Sequence, residues 1–384
     1  MNQLFTPDPH RQEDLFGGDY IAEDSDYLSE QLITYIGNKR RLIPMIEQSL
    51  RLAMREVAGP NPSFADVFAG TGVVSRMARA YAKTLYVNDF EEYSSFSNTV
   101  YQTNRCDIPS QEVEIWRKNV NEAGEIGARR GIISEFYAPA DECNITAQDR
   151  VFYTKRNAAF IDSARAAIDE APEHIRPYLL APLIQRASVH VNTSGVFKGF
   201  YKNKDGVGQF GGTMRNALQR IRAHIDVPFP VLSRFKRESF VTRKEATDFV
   251  SEMPDVDVAY FDPPYNQHPY GSNYFMLNLI LRNERPEEIS RVSGIPKQWQ
   301  RSPYNIRAEA GPALASITSS CPAKILLVSY NSEGFISPEE MMSILEPLGE
   351  VEVFDQKYST FRGCRNLSGR SAHVTEMLFK VKRT

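Results

Sequence analysis

Apolar residues recur at helical spacing over residues 41–57 (RLIPMIEQSLRLAMREV), and the pattern predicts a helix there. A short apolar strand, FADVF (64–68), runs into Ala69-Gly70-Thr71-Gly72, and VVSRMARAYA (73–82) reads as the helix that follows. TLYVND (84–89) is a second strand. A strand, glycine turn, helix and second strand open a doubly wound parallel sheet. From 98 to 235 the strand rhythm stops, and the chain is helical or irregular, with polar loops such as NTSGVFKGFYKNKDGVGQFGG (192–212). The rhythm resumes at SFVT (239–242), VDVAYF (256–261) and KILLVSYN (324–331). VEVFDQKY (351–358) and HVTEMLFKV (373–381) close the chain as an antiparallel pair. One strand–helix–strand step takes roughly 30 residues, so the stretch between the second and third strands carries an insert. The pattern therefore predicts a Rossmann-like α/β domain over 31–97 and 236–384, with a mainly helical inserted domain over 98–235. Residues 1–30 show no such periodicity and read as a disordered acidic tail.

Composition narrows the class. The 384 residues are 42% hydrophobic and 24% charged, as in a globular protein with ample core. No apolar run approaches the roughly 20 residues of a membrane span, and the N-terminus lacks a signal pattern, so a membrane role is not expected. Cys106, Cys143, Cys321 and Cys364 are scattered without a CxxC pair, and neither disulfides nor a metal site is expected. His190, His224 and His268 have no partner at ligand spacing and read as ordinary residues. The expected compartment is a reducing cytoplasm. The net charge of −3 conceals an asymmetry. Residues 1–34 set eight acidic side chains against Arg11 alone, whereas Arg186 to Lys244 holds twelve Lys and Arg against Asp205, Asp226 and Glu238. Such a basic segment is the footprint of phosphate contact, with a solvated face as the alternative.

The chemistry centres on Asp262-Pro263-Pro264-Tyr265, directly after the apolar strand VAYF. Ligands of such sheets lie beyond the carboxyl ends of the strands, where this tetrapeptide emerges. Two prolines remove backbone donors and leave carbonyls as acceptors. Asp262 and the Pro263 carbonyl suit the two hydrogens of an aromatic NH₂, and Tyr265 suits stacking on its ring. An aromatic amine is a poor nucleophile because its lone pair is delocalised. Acceptors that hold the nitrogen nearer tetrahedral geometry localise the pair toward an incoming methyl group. The second signal is Asp66 to Gly72, where glycines let the backbone approach a cofactor; Asp89 ends the next strand 19 residues past Gly70, where ribose hydroxyls are usually held. GxG without a third spaced glycine fits an adenosyl cofactor better than a dinucleotide.

These motifs resemble the adenine-specific DNA methyltransferases typified by the bacterial adenine methylase. Tyr35-Ile-Gly-Asn-Lys39 looks like the cofactor motif preceding the glycine turn, FADVFAGTG (64–72) like the main cofactor loop, YVND (86–89) like the ribose-binding strand and FDPPYN (261–266) like the catalytic motif. The order also matches: cofactor motifs, an inserted target recognition domain, then the catalytic tetrapeptide. Weaker likeness continues through Gly271–Leu279, LLVSYN (326–331) and TFRG (360–363). The resemblance implies a methyltransferase sheet and S-adenosylmethionine as cofactor. It places Tyr35, Gly37, Lys39, Asp66, Phe68, Gly70, Gly72 and Asp89 at that cofactor, and Asp262, Pro263, Pro264 and Tyr265 at the reacting base. Lys244-Glu245-Ala246 departs from the family's usual Asp before Ala, and Glu245 is expected to reach the cofactor adenine.

Within the insert, Asn192, Thr193, Lys198 and Lys202 are expected to contact duplex DNA. In the tail, Gln12-Glu13-Asp14-Leu15-Phe16 resembles the peptide with which bacterial DNA-processing proteins dock on the replication sliding clamp. The motifs leave three functions open: site-specific methylation of adenine in DNA, methylation of RNA adenine or of the cytosine amino group, and a catalytically silent DNA-binding protein on this fold. The basic insert and motif order favour the first.

Overall fold

The structure is a computed structural model that describes residues 22–57, 59–212, 215–359 and 373–383. Its centre is a seven-stranded sheet: β1 (Ser63–Asp66), β2 (Thr84–Asn88), β3 (Glu238–Thr242), β4 (Val256–Phe261), β5 (Ala323–Asn331), β6 (Gly349–Ser359) and β7 (His373–Arg383). The order across the sheet is β3-β2-β1-β4-β5-β7-β6. The first five strands run parallel, and β7 lies antiparallel between β5 and β6. All six residues of β4 are buried, as a central parallel strand covered on both faces requires.

Side-chain alternation assigns the two faces. Val258, Tyr260, Ile325 and Leu327 pack beneath the helix Ile43–Val57, which presents Ile46, Leu50, Ala53 and Met54. Ala259, Phe261, Leu326 and Val328 face the helices Ala246–Glu252 and Arg307–Ser320 through Phe249, Leu314 and Ile317. The helix after the glycine turn is shorter than the pattern predicts, Val73–Ala78. Beyond it the chain tightens to three-residue turns, as Arg79, fully buried, turns inward to donate to the carbonyls of Gln102 and Phe235 at 2.8 Å each.

The insert is helical, chiefly Ser110–Ile126, Lys155–Glu170 and Arg176–Val189. Its core is shared with the flanking segments. One apolar core joins Val120, Phe160, Leu183 and Phe197 of the insert to Tyr27, Ile33 and Tyr93 before it and to Phe275, Leu277 and Leu279 after the tetrapeptide Asp262–Tyr265. The expected tail is also shorter. Ser25–Ser29 is helical, Tyr27 is fully buried, and its hydroxyl donates to the Tyr101 carbonyl at 2.6 Å. The Arg76 guanidinium donates to the carbonyls of Tyr27 and Glu30, both at 3.0 Å, and stacks on Tyr101, 4.1 Å from the ring centre. Acidic Glu23 is buried against Ser233 and the Arg234 backbone, so charge there serves packing rather than solvation. Gln12–Phe16 and TFRG (360–363) lie outside the described residues. Among the described residues no helix is long and apolar enough to cross a membrane.

Candidate active site

Parallel strands leave their carboxyl ends on one edge, and the loops after β1, β2 and β4 converge there on a cleft of about 910 Å³. Tyr35, Gly37, Lys39, Asp66, Phe68, Gly70, Asp89, Glu245, Asp262, Pro264 and Tyr265 all line it. Gly72 does not; it holds the turn from behind, in the left-handed region at φ 75°. The Asp89 carboxylate accepts from the Gly70 N–H at 2.7 Å and the Glu91 N–H at 2.8 Å, tying the glycine turn to the end of β2. Glu245 caps the helix Ala246–Glu252, accepting from the Thr247 N–H at 2.7 Å. Phe68 packs edge-on against Tyr304.

Acidity dominates the cleft floor. Asp66 is fully buried; one oxygen accepts from Ser75 Oγ at 2.5 Å, and Oδ1 has no partner among the described residues. Burial pushes its carboxyl up to about 7, with Ser75 pulling the other way. Burial also raises Asp89, and burial with the neighbouring Asp89 charge pushes Glu91 up to about 8. Burial thus disfavours the charged form of each carboxylate.

Asp262 sits at the end of β4 with its carboxylate 2.8 Å from Lys39 Nζ. The same Nζ lies 2.7 Å from Glu376 Oε1. Burial alone would lower Lys39, but Asp262 and Glu376 together hold it well above its ordinary value. Burial pushes Asp262 up to about 6 against the pull of Lys39. Beside this group Tyr35, Tyr270 and Tyr274 form a triangular cluster of near-parallel rings, with the Tyr35 ring centre 4.8 Å from Tyr270 and 4.6 Å from Tyr274. Sequence reasoning missed Glu91, Tyr270 and Glu376. Glu376 had a signal: in β7 it shares a buried row with Val374 and Leu378, where a lone carboxylate is costly unless paired.

The insert residues divide. Asn192 is fully buried, donating to the carbonyls of Val151 (2.7 Å) and Gln209 (3.3 Å) and accepting from the Gly211 N–H at 3.0 Å. Thr193 is buried and accepts from the Gly195 N–H at 3.2 Å. Both side chains brace the loop from within. Lys198 and Lys202 are partly exposed; Lys198 Nζ stands 3.2 Å from Nδ1 of His268, three residues after the tetrapeptide, and Lys202 lies over Phe200. Part of the basic surplus is likewise structural, since Arg220 donates to the carbonyls of Val191 (3.0 Å) and Thr193 (3.2 Å). Among the described residues no cluster of His, Cys, Asp and Glu is arranged to hold a metal.

A sheet ordered 3-2-1-4-5-7-6, with a glycine turn after its first strand and an acidic cleft at its carboxyl edge, defines an α/β methyltransferase. The chain belongs to the D12 class N6 adenine-specific DNA methyltransferase family, whose model matches residues 35–344. Its reaction is therefore methylation of the adenine amino nitrogen in DNA, which sets aside the RNA, cytosine-amino and silent alternatives; the family takes its methyl group from S-adenosylmethionine. The chain is 26% identical over 364 residues to Type II methyltransferase M.NlaIII of Neisseria lactamica, covering 92% of this chain and all of the relative. It is 26% identical over 359 residues to Type II methyltransferase M.CviAII of Paramecium bursaria Chlorella virus 1, covering 91% and 98%. Modification methylase StsI of Streptococcus sanguinis is 26% identical over 371 residues, covering 91% of this chain and 52% of the relative.

Proposed function

We propose that the enzyme binds duplex DNA at a short specific sequence and turns one adenine out of the stack into the cleft. There Asp262 and the Pro263 carbonyl accept the two amino hydrogens, Pro264 shapes the slot, and Tyr265 stacks on the base. The observation that carries this reading is the placement of Asp262, anchored at the end of a fully buried strand, in the same cleft as Asp66 and Asp89. Those carboxylates fit S-adenosylmethionine: the orphaned Asp66 Oδ1 and the raised Asp89 and Glu91 suit a ligand carrying an ammonium and a sulfonium. Tyr35, Gly37, Gly70 and Phe68 would hold it, with Glu245 at its adenine. When bound, the cofactor supplies an electrophilic methyl carbon. The protein's task is to hold the target nitrogen in line with it and to stabilise the charge developing there.

Lys198 and Lys202 would meet DNA phosphates, and Lys198 does so close to the reacting base. The relatives named as a Type II methyltransferase and a modification methylase support a role in restriction–modification, in which methylation in a bacterial or phage-infected cytoplasm would mark DNA against a partner nuclease. Asp262→Ala should reduce transfer of labelled methyl to unmethylated genomic DNA by about 10²–10³-fold or more. Calorimetry should show S-adenosylmethionine binding retained. Near wild-type turnover in that variant would refute the reading.

A further inference from the structure

Glu376 lies beyond the residues matched by the family model, on β7, and its side chain is 1% exposed. Its carboxylate takes three partners. Lys39 Nζ is 2.7 Å from Oε1, Ser329 Oγ donates to Oε1 at 2.8 Å, and Asn331 Nδ2 donates to Oε2 at 3.3 Å. Asn331 stands directly across the β5–β7 register from Glu376. The sheet therefore fixes this carboxylate through its own backbone pairing, and the carboxylate fixes an ammonium that is itself 6% exposed. On its other side that ammonium holds Asp262 Oδ1 at 2.8 Å.

We infer that Glu376 is a positioning residue for the methyl-transfer step, holding Lys39 so that Lys39 fixes one oxygen of Asp262 and leaves the other to accept from the target amino group. The inference rests on the role of Asp262 proposed above. A lone Lys39–Asp262 pair would let the flexible lysine follow any movement of the catalytic loop. Two carboxylates on opposite sides of one ammonium remove that freedom. The second carboxylate also makes the cluster net negative, so a single cation does not neutralise the acceptor. The charged and titratable groups facing Asp262 are Lys39, Glu376 on β7, Tyr260 on β4, Asp66 on β1 and Tyr270 in the helix after the tetrapeptide.

The test compares the full-length protein with Asp262→Ala, Glu376→Gln, Lys39→Met and the double variant Lys39→Met/Glu376→Gln. Methyl transfer to genomic DNA from a methylation-free host is measured across pH, and cofactor affinity by calorimetry. Glu376→Gln should lower kcat by roughly 10- to 100-fold, as a displaced reacting group does, with S-adenosylmethionine affinity within about twofold. Loss of the like charge should move the acid limb of kcat down by about one pH unit. A residue that only packs β7 would leave that limb where it is. Because Glu376 acts through Lys39, the double variant should be no slower than Lys39→Met alone. Wild-type kcat with an unmoved limb in Glu376→Gln would overturn the inference, as would a further loss in the double variant. Should Glu376→Gln not fold, the comparison of Lys39→Met with the double variant, which removes the buried Glu376 charge together with its partner, decides alone. An active Asp262→Ala refutes the proposed function itself; an inactive one beside a fully active Glu376→Gln refutes only the role of Glu376.

Discussion

Gly72→Ala tests how the cofactor loop is built. Gly72 has φ 75°, and a left-handed backbone costs an L-residue roughly 1–2 kcal/mol. A Cβ there would lie 1.9 Å from Asn98 Oδ1 and 3.0 Å from its Cγ, well inside contact distance. Asn98 is buried and bonds Ser94 and the Gly70 carbonyl through Nδ2, at 3.0 and 3.4 Å, so rotating it away strands buried polar groups at about 1–3 kcal/mol. The total loss should be about 2–5 kcal/mol, read as a lower denaturant midpoint at constant slope. Gly70→Ala makes the contrast. Its φ is 53°, but the nearest atom to a new Cβ is Tyr35 Cε1 at 3.4 Å, an ordinary contact. It should cost only about 1–2 kcal/mol of stability while weakening S-adenosylmethionine binding, because the new methyl stands at the cleft wall. Equal stability losses for the two variants, or unchanged cofactor affinity in Gly70→Ala, would refute this account of the turn.

Further outcomes follow from the site. Asp66 titrates at about 7 folded against an ordinary value near 3.8, so the folded state binds the extra proton and stability falls as pH rises between those limits. Asp66→Asn should flatten that slope, raise the ligand-free unfolding free energy at pH 8 by roughly 2 kcal/mol, and weaken cofactor binding; an unchanged slope would remove the buried-acid explanation. Replacing Lys198 and Lys202 together by Ala should weaken DNA binding and reduce its salt slope by about one unit per lost phosphate contact, with cofactor affinity unmoved. Equal DNA affinity in the double variant would send the contacts to another surface. If Gln12–Phe16 is a clamp-docking peptide, a synthetic peptide covering residues 8–20 binds purified sliding clamp through Leu15 and Phe16; no binding at tens of micromolar would remove the clamp as a partner.

The strands that carry chemistry were legible because burial on both faces leaves a plain apolar record. VDVAYF is β4 to the residue, and KILLVSYN differs from β5 by one. The tetrapeptide follows at a position that strand polarity alone makes functional. What escaped was the inward or outward direction of polar side chains. Nothing in NTSG reveals that Asn192 spends its amide on three backbone groups, since loops bonded from within and loops facing DNA draw on the same residues. Arg220 and Glu23 counted as charge in the sequence but act as braces in the fold. Lys39 was legible as a cleft residue, yet its partners Asp262 and Glu376 lie more than two hundred residues away, and only the sheet, which sets β7 beyond β5 from β4, brings them together at its loop.

The apolar core that joins Phe160 and Leu183 to Tyr27 and to Phe275–Leu279 limits how specificity can be exchanged. Grafting residues 98–235 from a relative would confront a foreign surface with Tyr27, Tyr93, Phe275 and Leu279, and each mismatch would open a void or a clash worth a few kcal/mol. A workable chimera must transfer the segment from Ala22 to Thr34 and the helix Phe275–Arg282 along with the insert. That helix begins ten residues after Tyr265, so the graft reaches almost to the tetrapeptide. New sequence preferences in this scaffold should therefore arise by point changes on exposed loops, and recombination of whole modules should yield chains that fold poorly before they read DNA differently.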